Sequence, residues 1–378
     1  MQAFRFPYFL KCRSNSLWNA SVLLSDPWTL RVRQSSPAVL NPMTRTKPAI
    51  MSTDTVPAND ADYDKALSLL THNPPEQRSD IPMPYSQYLQ IEKSWSKFKS
   101  DNNISEEKSL SYNALMRIAT VVTTQSALHD RTAAVFREII KSNVNEYLSI
   151  HKPNERRRIK DNASTTVKAL GPYGKTSKDP DESFLYERPD RKSRLQVVVE
   201  CGVSENYKDL CRDKNLWIQH LGAKAVILIC LKDAPPFKNP RATYDDIKDP
   251  VAEVIKMQQY ALEAMQYNLE QGHCGPIEYR SHMWAGKLDE VFVEVWRAGK
   301  TQPVRKWLIR DGRHNRLPKT IGLKISDFFP EDPSKIQDSN VPLHGGRYIL
   351  WEDLAGAMRW TAEMRFIDFL DSSGLPKD

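Results

Sequence analysis

The sequence has no apolar run long enough to cross a membrane as a helix. Its longest uninterrupted apolar stretch, residues 225–231, is strand-sized, whereas a spanning helix needs about 20 residues. Cysteine is also scarce: five residues lie dispersed at positions 12, 201, 211, 230 and 274, without a CxxC pair. This spacing fits neither a disulfide framework nor a structural zinc site. The composition therefore predicts a protein of a reducing, intracellular compartment, with no membrane partner.

Acidic residues are nearly absent from residues 1–50, which hold seven basic side chains and one acid, Asp26. This segment carries +6 of the formal net charge of +7, so the remainder carries only +1. Any phosphate-binding surface in the remainder must therefore be a local patch. The segment is interpreted as a disordered basic tail, as a mitochondrial presequence, or as an extension upstream of a start at Met43 or Met51. Localisation is mitochondrial under the second interpretation, and nuclear or cytoplasmic otherwise.

Composition and periodicity divide the rest of the chain into three parts. The proline-rich residues 51–107 are predicted to be a linker with short helical segments, one of them near 62–70. Residues 108–330 are predicted to form one α/β domain. Residues 331–378 are predicted to be a C-terminal loop followed by an amphipathic helix that packs on the outside of that domain.

The centre of the predicted domain has the pattern of a parallel pair of strands. Residues 195–200 are β-branched and nearly continuous, as in a strand that is buried on both faces. A helix is predicted over 205–220, and a second apolar strand over 225–231. Strand, helix and strand in this order predict a βαβ crossover. Other elements are predicted as a strand over 165–170, a strand over 183–186, a helix over 130–148 and a helix from Asp249 to Gln271.

Two carboxylates fall at the ends of neighbouring predicted strands. Asp181 precedes the strand 183–186, and Glu200 ends the strand 195–200, so the two can lie close together if these strands pair. A carboxylate pair suits Mg²⁺, a hard ion that takes oxygen ligands and keeps several waters for a substrate. Such an ion polarises a phosphodiester and supplies hydroxide. The alternative interpretation is that Asp181 is a turn residue and Glu200 a charge at a strand end.

Lys214 falls on the apolar face of the predicted helix 205–220, together with Tyr207 and Leu210. A lysine in that position either snorkels to the rim or meets an anion, because an unpaired buried ammonium is costly. A right-handed crossover lays the helix back over the sheet, so Lys214 is a candidate to approach Glu200 and to stabilise charge on a phosphate. A snorkelling lysine is the alternative.

The succession Pro180-Asp181, Val198-Val199-Glu200, Ser204 and Asp213-Lys214 resembles the PD-(D/E)XK nuclease-like superfamily, in particular its fungal members and the bacterial Uma-type putative endonucleases. The resemblance covers about residues 108–330. It implies a restriction-endonuclease-like α/β fold, with a mixed central sheet flanked by helices. It also implies that Asp181 and Glu200 bind Mg²⁺, or Mn²⁺ in its place, for phosphodiester hydrolysis of nucleic acid.

The resemblance is incomplete at the position of the lysine. Gly202 stands where the simple motif has that residue, and the Uma-type relatives carry it on the following helix, where Lys214 matches. Glu138 is a candidate additional ligand, and His129, which ends a segment similar to one in the family, is a helix-start residue, a ligand or a base. The rival function is a catalytically inactive nuclease-fold binding or scaffold protein, which the near-neutral folded part and Gly202 favour. The sequence does not indicate an oligomeric state.

Overall fold

The computed structural model describes residues 59–72, 78–102, 108–123, 126–162, 165–169, 174–190, 192–203, 207–240, 246–330, 339–343 and 350–372. The interpretations of residues 1–50 lie outside these ranges. The described residues form a mixed α/β structure, which confirms the predicted fold class at that level. None of the helices within the described ranges is long and apolar enough to span a membrane.

The helices and strands follow one another along the chain as described next. They are α1 (Asp60–Thr71), β1 (Arg78–Pro82), α2 (Tyr85–Asn102), β2 (Ser109–Asn113), β3 (Ile118–Val122), α3 (Ala127–His151), α4 (Pro153–Arg156), β4 (Ile159–Asp161), β5 (Val167–Lys168), β6 (Ser177–Lys178), β7 (Glu182–Glu187), β8 (Ser193–Val203), α5 (Tyr207–Gln219), β9 (Ala225–Ala234), α6 (Pro250–Glu270), β10 (Ile277–Tyr279), β11 (His282–Ala285), β12 (Lys287–Arg297), β13 (Val304–Arg310), β14 (Arg313–His314), β15 (Thr320–Lys324), a 3₁₀ helix (Ile325–Phe328), β16 (Asn340–Pro342) and α7 (Leu350–Ser372).

A seven-stranded sheet forms the centre of the structure, with strand order β14-β13-β12-β9-β8-β7-β4. Strands β8 and β9 are parallel, with Val197 opposite Ala225, and the neighbouring pairs β7–β8 and β9–β12 are antiparallel. Because α5 connects the two parallel strands, the structure confirms the predicted βαβ crossover. The sheet is therefore mixed.

The two faces of the seven-stranded sheet bury different helices. Val197, Val199 and Cys201 contribute to one core, which also contains residues of α3, α6 and α7. Val198 contributes to the core on the other face, which α5 covers with Leu210 and other side chains. Since successive residues of a strand point to opposite faces, Glu200 shares the α5 face with Val198. Helix α5 therefore covers the part of β8 that carries Glu200.

A five-stranded sheet, with strand order β1-β3-β2-β6-β5, has a core of its own. Helix α1 matches the short helix expected near 62–70, but the expected linker is otherwise wrong for its described residues. Leu70, Ile91 and Trp95 are buried against β2 and β3. Two of the prolines that indicated a linker instead mark element boundaries, since Pro82 ends β1 and Pro84 precedes α2. The expected domain start at residue 108 therefore cuts through a sheet.

Two further expectations differ from the structure. Helix α7 begins at the expected residue, Leu350, but it packs against α3 and α6 and buries Met358 and Phe366 in the main core rather than lying outside it. The strand expected over 165–170 is reduced among its described residues to β5, which belongs to the five-stranded sheet. In both cases the difference lies in which sheet or core the helix or strand packs with. The hydrophobic periodicity of a segment does not determine that packing partner.

Candidate functional site

Asp181 and Glu200 are brought together by the pairing of β7 with β8. Glu182, the first residue of β7, lies opposite Val199, so Asp181 comes directly before the strand that pairs with the strand of Glu200. The negative charge of Asp181 is also one of the influences that raise the pKa of Glu200. The predicted proximity of the two carboxylates is therefore present in the structure.

Asp181 is held by two donors from different elements. Its Oδ2 accepts a hydrogen bond from the backbone N of Cys201 at 2.7 Å and lies 3.1 Å from Nε2 of His129. His129 stands in the first turn of α3, whose N-cap is Ser126, and its Nδ1 lies 3.0 Å from Asp130. Burial opposes a charged imidazole, but the charge of Asp181 and hydrogen bonds to both carboxylates raise the pKa of His129 well above its usual value.

Glu200 is 4% exposed and is held by one neutral and one charged donor. The indole Nε1 of Trp217, on α5, donates to its Oε1 at 2.6 Å, and Nζ of Lys178 lies 3.3 Å from its Oε2. Burial raises the pKa of Glu200 to about 8, the charge of Lys178 opposes that rise, and the charge of Asp181 adds to it. The carboxyl group of Glu200 therefore changes between its protonated and its ionised form near physiological pH in the absence of a metal ion.

The five-stranded sheet supplies two cations to this region. Nζ of Lys178, on β6, also lies 3.1 Å from Asp213 Oδ2, and the guanidinium of Arg78, on β1, donates to both Asp213 oxygens at 2.8 and 2.9 Å. Burial works against ionisation of Asp213, but the charge of Lys178 and the bonds from Arg78 lower its pKa to about 2. We define Arg78, His129, Lys178, Asp181, Glu200 and Asp213 as the carboxylate cluster.

The sequence pattern does not identify Lys178 as a site residue. It stands three positions before Asp181, in the segment Lys178-Asp179-Pro180-Asp181, and this closeness was the available signal. Its strand, β6, is two residues long, which is too short for an alternation of apolar and polar residues to indicate a strand. The contact with Glu200 arises from the docking of one sheet against another. Only the tertiary structure therefore identifies Lys178 as the ammonium of this cluster.

Lys214 lies on α5 but has different contacts. Its Nζ is 3.9 Å from the centre of the Trp296 ring and donates to Asn215 Oδ1 at 2.6 Å. Trp296 belongs to β12, which β9 separates from β8, so this position is about 10 Å along the sheet from the strand of Glu200. Burial lowers the pKa of Lys214. The structure thus brings Asp181 and Glu200 together and places Lys214 over another strand.

Glu138, the candidate additional ligand, is part of a different ion pair. Its Oε1 accepts a hydrogen bond from Nε of Arg137 at 3.0 Å, and Nη1 of the same arginine donates to Glu182 Oε1 at 2.9 Å. Glu182 is opposite Val199 and therefore points to the α3 face, away from the face of Glu200. Glu138 consequently stabilises the packing of α3 on β7.

The donor set of the cluster fits a hard divalent ion in its chemistry. Asp181 and Glu200 provide carboxylate oxygens, and Mg²⁺ needs only one or two carboxylates because it keeps several waters. Within the described ranges, no group of three or more His, Cys, Asp or Glu side chains is arranged to hold a metal. The ammonium of Lys178 now neutralises the charges to which an ion would bind, so a bound ion would compete with it for Glu200.

A narrow cleft gives access to the Asp213 side of the cluster. Its walls come from β1, β2 and β3 of the five-stranded sheet and from α5. The residues that line it include Arg78, Thr120, Arg212, Asp213 and Leu216. Both arginines are paired with carboxylates there, Arg78 with Asp213 and Arg212 with Asp80.

Neither a scan against models of known protein families nor a search of curated proteins returns a match for this chain. The superfamily resemblance therefore stays a prediction based on the motif residues.

Proposed function

We propose that this protein is a metal-dependent phosphodiesterase that acts on nucleic acid, with a restriction-endonuclease-like fold. One observation carries the proposal: Asp181, directly before β7, is near enough to Glu200 on β8 for its charge to raise the pKa of Glu200, and the Lys178 ammonium lies 3.3 Å from Glu200. Two carboxylates and an amine are the groups that metal-assisted phosphodiester hydrolysis uses. The mixed sheet with its β8–α5–β9 crossover is consistent with that fold.

Each residue of the cluster has a distinct task under this proposal. Asp181 and Glu200 would hold Mg²⁺ or Mn²⁺, which when bound polarises the phosphodiester and lowers the pKa of a water. Lys178, whose ammonium lies 3.3 Å from Glu200, would stabilise the negative charge that develops on the phosphate. His129 and Trp217 orient the two carboxylates through their hydrogen bonds to Asp181 and Glu200.

A second candidate function is a catalytically inactive nuclease-fold protein that binds or scaffolds. The burial of Glu200 favours it, because both carboxylate oxygens already accept from protein donors, Trp217 and Lys178. In that case the cluster only joins the two sheets. The two candidates differ in whether a divalent ion can displace Lys178.

Activity of variants distinguishes the two candidates. With Mg²⁺ or Mn²⁺, the parent is expected to cleave single-stranded or duplex DNA or RNA, and Asp181→Asn, Glu200→Gln and Lys178→Met are each expected to lose about a hundredfold or more in rate. Lys214→Met is the matched control: it removes a second lysine ammonium, which lies against Trp296 rather than a carboxylate, and is expected to keep the activity. Cleavage would be measured with end-labelled oligonucleotides, and EDTA should stop it.

Two results would reject the hydrolase. The first is a parent that cleaves none of the four substrates and whose melting temperature neither ion shifts. An ion that binds only the folded state, at a free concentration 100-fold above its Kd, stabilises by about 2.7 kcal/mol, which a melt detects readily. The second is an activity that survives Glu200→Gln unchanged. Either result leaves the binding or scaffold function.

A further inference from the structure

A cavity of about 380 Å³ opens to solvent where the chain turns from α3 into α4. One residue, Lys152, separates the two helices, and its backbone is not helical, so α4 leaves the direction of α3. Ligand-binding pockets have volumes of about 300–1,000 Å³, so this cavity has room for a small organic ligand. Its described lining residues come from the last turns of α3, from α4 and from the residue after α4, and they are Asn145, Ser149, Pro153, Arg156 and Arg157.

Two positive charges of this cavity have no partner within the described ranges. Arg156 and Arg157 are exposed, and neither guanidinium takes part in a hydrogen bond or an ion pair there. The neighbouring acid, Glu155, has other contacts: its Oε2 accepts from the Tyr186 hydroxyl at 2.7 Å, and its Oε1 lies 3.5 Å from Nη1 of Arg158. The C-terminal end of α3 offers about half a negative charge, which is less than two guanidinium groups carry. The cavity is therefore cationic.

The chemistry of the lining residues favours a phosphate group with a nucleoside attached. No carboxylate is among the described residues of the lining, so these residues do not repel an anion. A guanidinium presents its N–H groups in a fork that matches two phosphate oxygens, and a hydrogen bond between charged groups is about twice as strong as a neutral one. The side-chain amide of Asn145 carries donors and an acceptor, which suit the edge of a base, and Pro153 offers an apolar ring. These groups together suit a nucleotide.

We propose that this cavity binds the phosphate of a nucleotide, either a free nucleotide or one unit of a nucleic-acid strand. Arg156 and Arg157 hold the phosphate, and Asn145 and Pro153 contact the nucleoside. The near-neutral charge of the chain after residue 50 restricts any phosphate-binding surface to a local patch. Two uncompensated arginines in one cavity form such a patch.

The cavity is a second site, separate from the carboxylate cluster. His129, in the first turn of α3, lies 3.1 Å from Asp181, whereas Ser149, near the end of the same helix, lines the cavity. The intervening α-helix of about 20 residues rises about 30 Å, so a phosphate held here is not the one that the cluster would hydrolyse. The proposal therefore goes beyond the proposed function and does not depend on it.

Titration calorimetry with adenosine monophosphate and fluorescence anisotropy with a short labelled single-stranded oligonucleotide test the proposal on the full chain. EDTA is present throughout, so that binding is measured without hydrolysis. Arg156→Gln and Arg157→Gln are each expected to raise the Kd about tenfold, because each removes a charge-assisted bond to the phosphate. Lys160→Gln is the matched control: it removes a charge from the same basic run, but Nζ of Lys160 lies 4.0 Å from Glu187 and outside the cavity, so the Kd should not change. Thermal melts would verify that the variants fold.

The dependence of binding on salt distinguishes the two sources of the phosphate. For a strand, loss of one phosphate contact lowers the slope of log Kd against log salt concentration by about 0.7, which the double variant Arg156→Gln/Arg157→Gln should show. For a free nucleotide, the double variant binds adenosine monophosphate more weakly, and the parent binds the oligonucleotide no more tightly than it binds that nucleotide. Either result supports the site.

Two results would overturn the proposal. One is a parent that binds neither ligand, and the other is a double variant that binds both ligands as tightly as the parent does. Binding that depends on the two arginines in a protein that cleaves no substrate would reject the proposed function and leave this site in place.

Discussion

Replacing Lys178 by methionine is expected to lower the free energy of unfolding by about 3–5 kcal/mol, the usual cost of removing one partner from a buried ion pair. The substitution keeps the length of the side chain but removes the ammonium that lies 3.3 Å from Glu200 and 3.1 Å from Asp213. Asp213 is ionised at neutral pH and Glu200 becomes ionised above its pKa of about 8, so the two buried carboxylates then lose a shared counter-charge. Urea denaturation at about pH 9 in the presence of EDTA measures the loss.

Two further variants show whether charge causes this loss. Lys178→Met/Glu200→Gln is expected to recover part of the stability, because the second substitution removes one of the uncompensated carboxylates while keeping an acceptor for Trp217. Lys214→Met should cost far less, since the Lys214 ammonium contacts the Trp296 ring and Asn215 rather than a carboxylate. Equal losses in the two single lysine variants would contradict a specific role of Lys178.

Raising the pH from about 5 to about 9 is expected to reduce the stability of the metal-free protein by a few kcal/mol. Glu200 has a pKa of about 8 in the folded state, above its usual value of 4.5. Between these values the folded state keeps a proton that the unfolded state releases, so unfolding becomes easier as the pH rises. The raised pKa of His129 acts in the same direction. The low pKa of Asp213, about 2, affects the stability only at pH values below this range.

Glu200→Gln removes the Glu200 contribution and should flatten the pH dependence, most clearly between about pH 7 and about pH 8. Burial also raises the pKa of Glu182, to about 7, so Glu182→Gln is the matched control that flattens only the lower part of the window. Chemical denaturation at several pH values gives the three profiles. A parent whose stability is constant from about pH 5 to about pH 9 would contradict the assigned environment of Glu200.

The sequence predicts the part of the fold that depends on local patterns. The apolar run of β8, the amphipathic α5 and the apolar run of β9 follow one another closely, and this order is sufficient to predict parallel strands. The same pattern predicts that Asp181 and Glu200 come close, because they belong to neighbouring strands, although β8 continues beyond the expected end at Glu200 to Val203. The helix-face argument assigns Lys214 to the apolar face of α5, which the structure buries, but the ammonium contacts Trp296 and Asn215 rather than an anion.

Contacts between distant segments are what the sequence does not show. Arg78 and Asp213 are 135 positions apart in the sequence. The strand that carries Arg78, β1, lies in a proline-rich segment whose composition is typical of a linker. Helix α5 spans several strands, so knowing that Lys214 faces the sheet does not determine whether it meets Glu200 or Trp296. Such choices depend on how two layers dock, which neither propensity nor periodicity encodes.

The origin of the two cations has a consequence for how the molecule opens. Arg78 and Lys178 belong to the five-stranded sheet, and their carboxylate partners belong to the seven-stranded sheet and α5. If the first sheet separated, Glu200 and Asp213 would lose their counter-charges, so partial opening costs more than the loss of packing alone. The backbone amides of β1 and β6 should therefore exchange their hydrogens with solvent at rates that follow the ionisation of Glu200. Electrostatics makes the two sheets one cooperative unit.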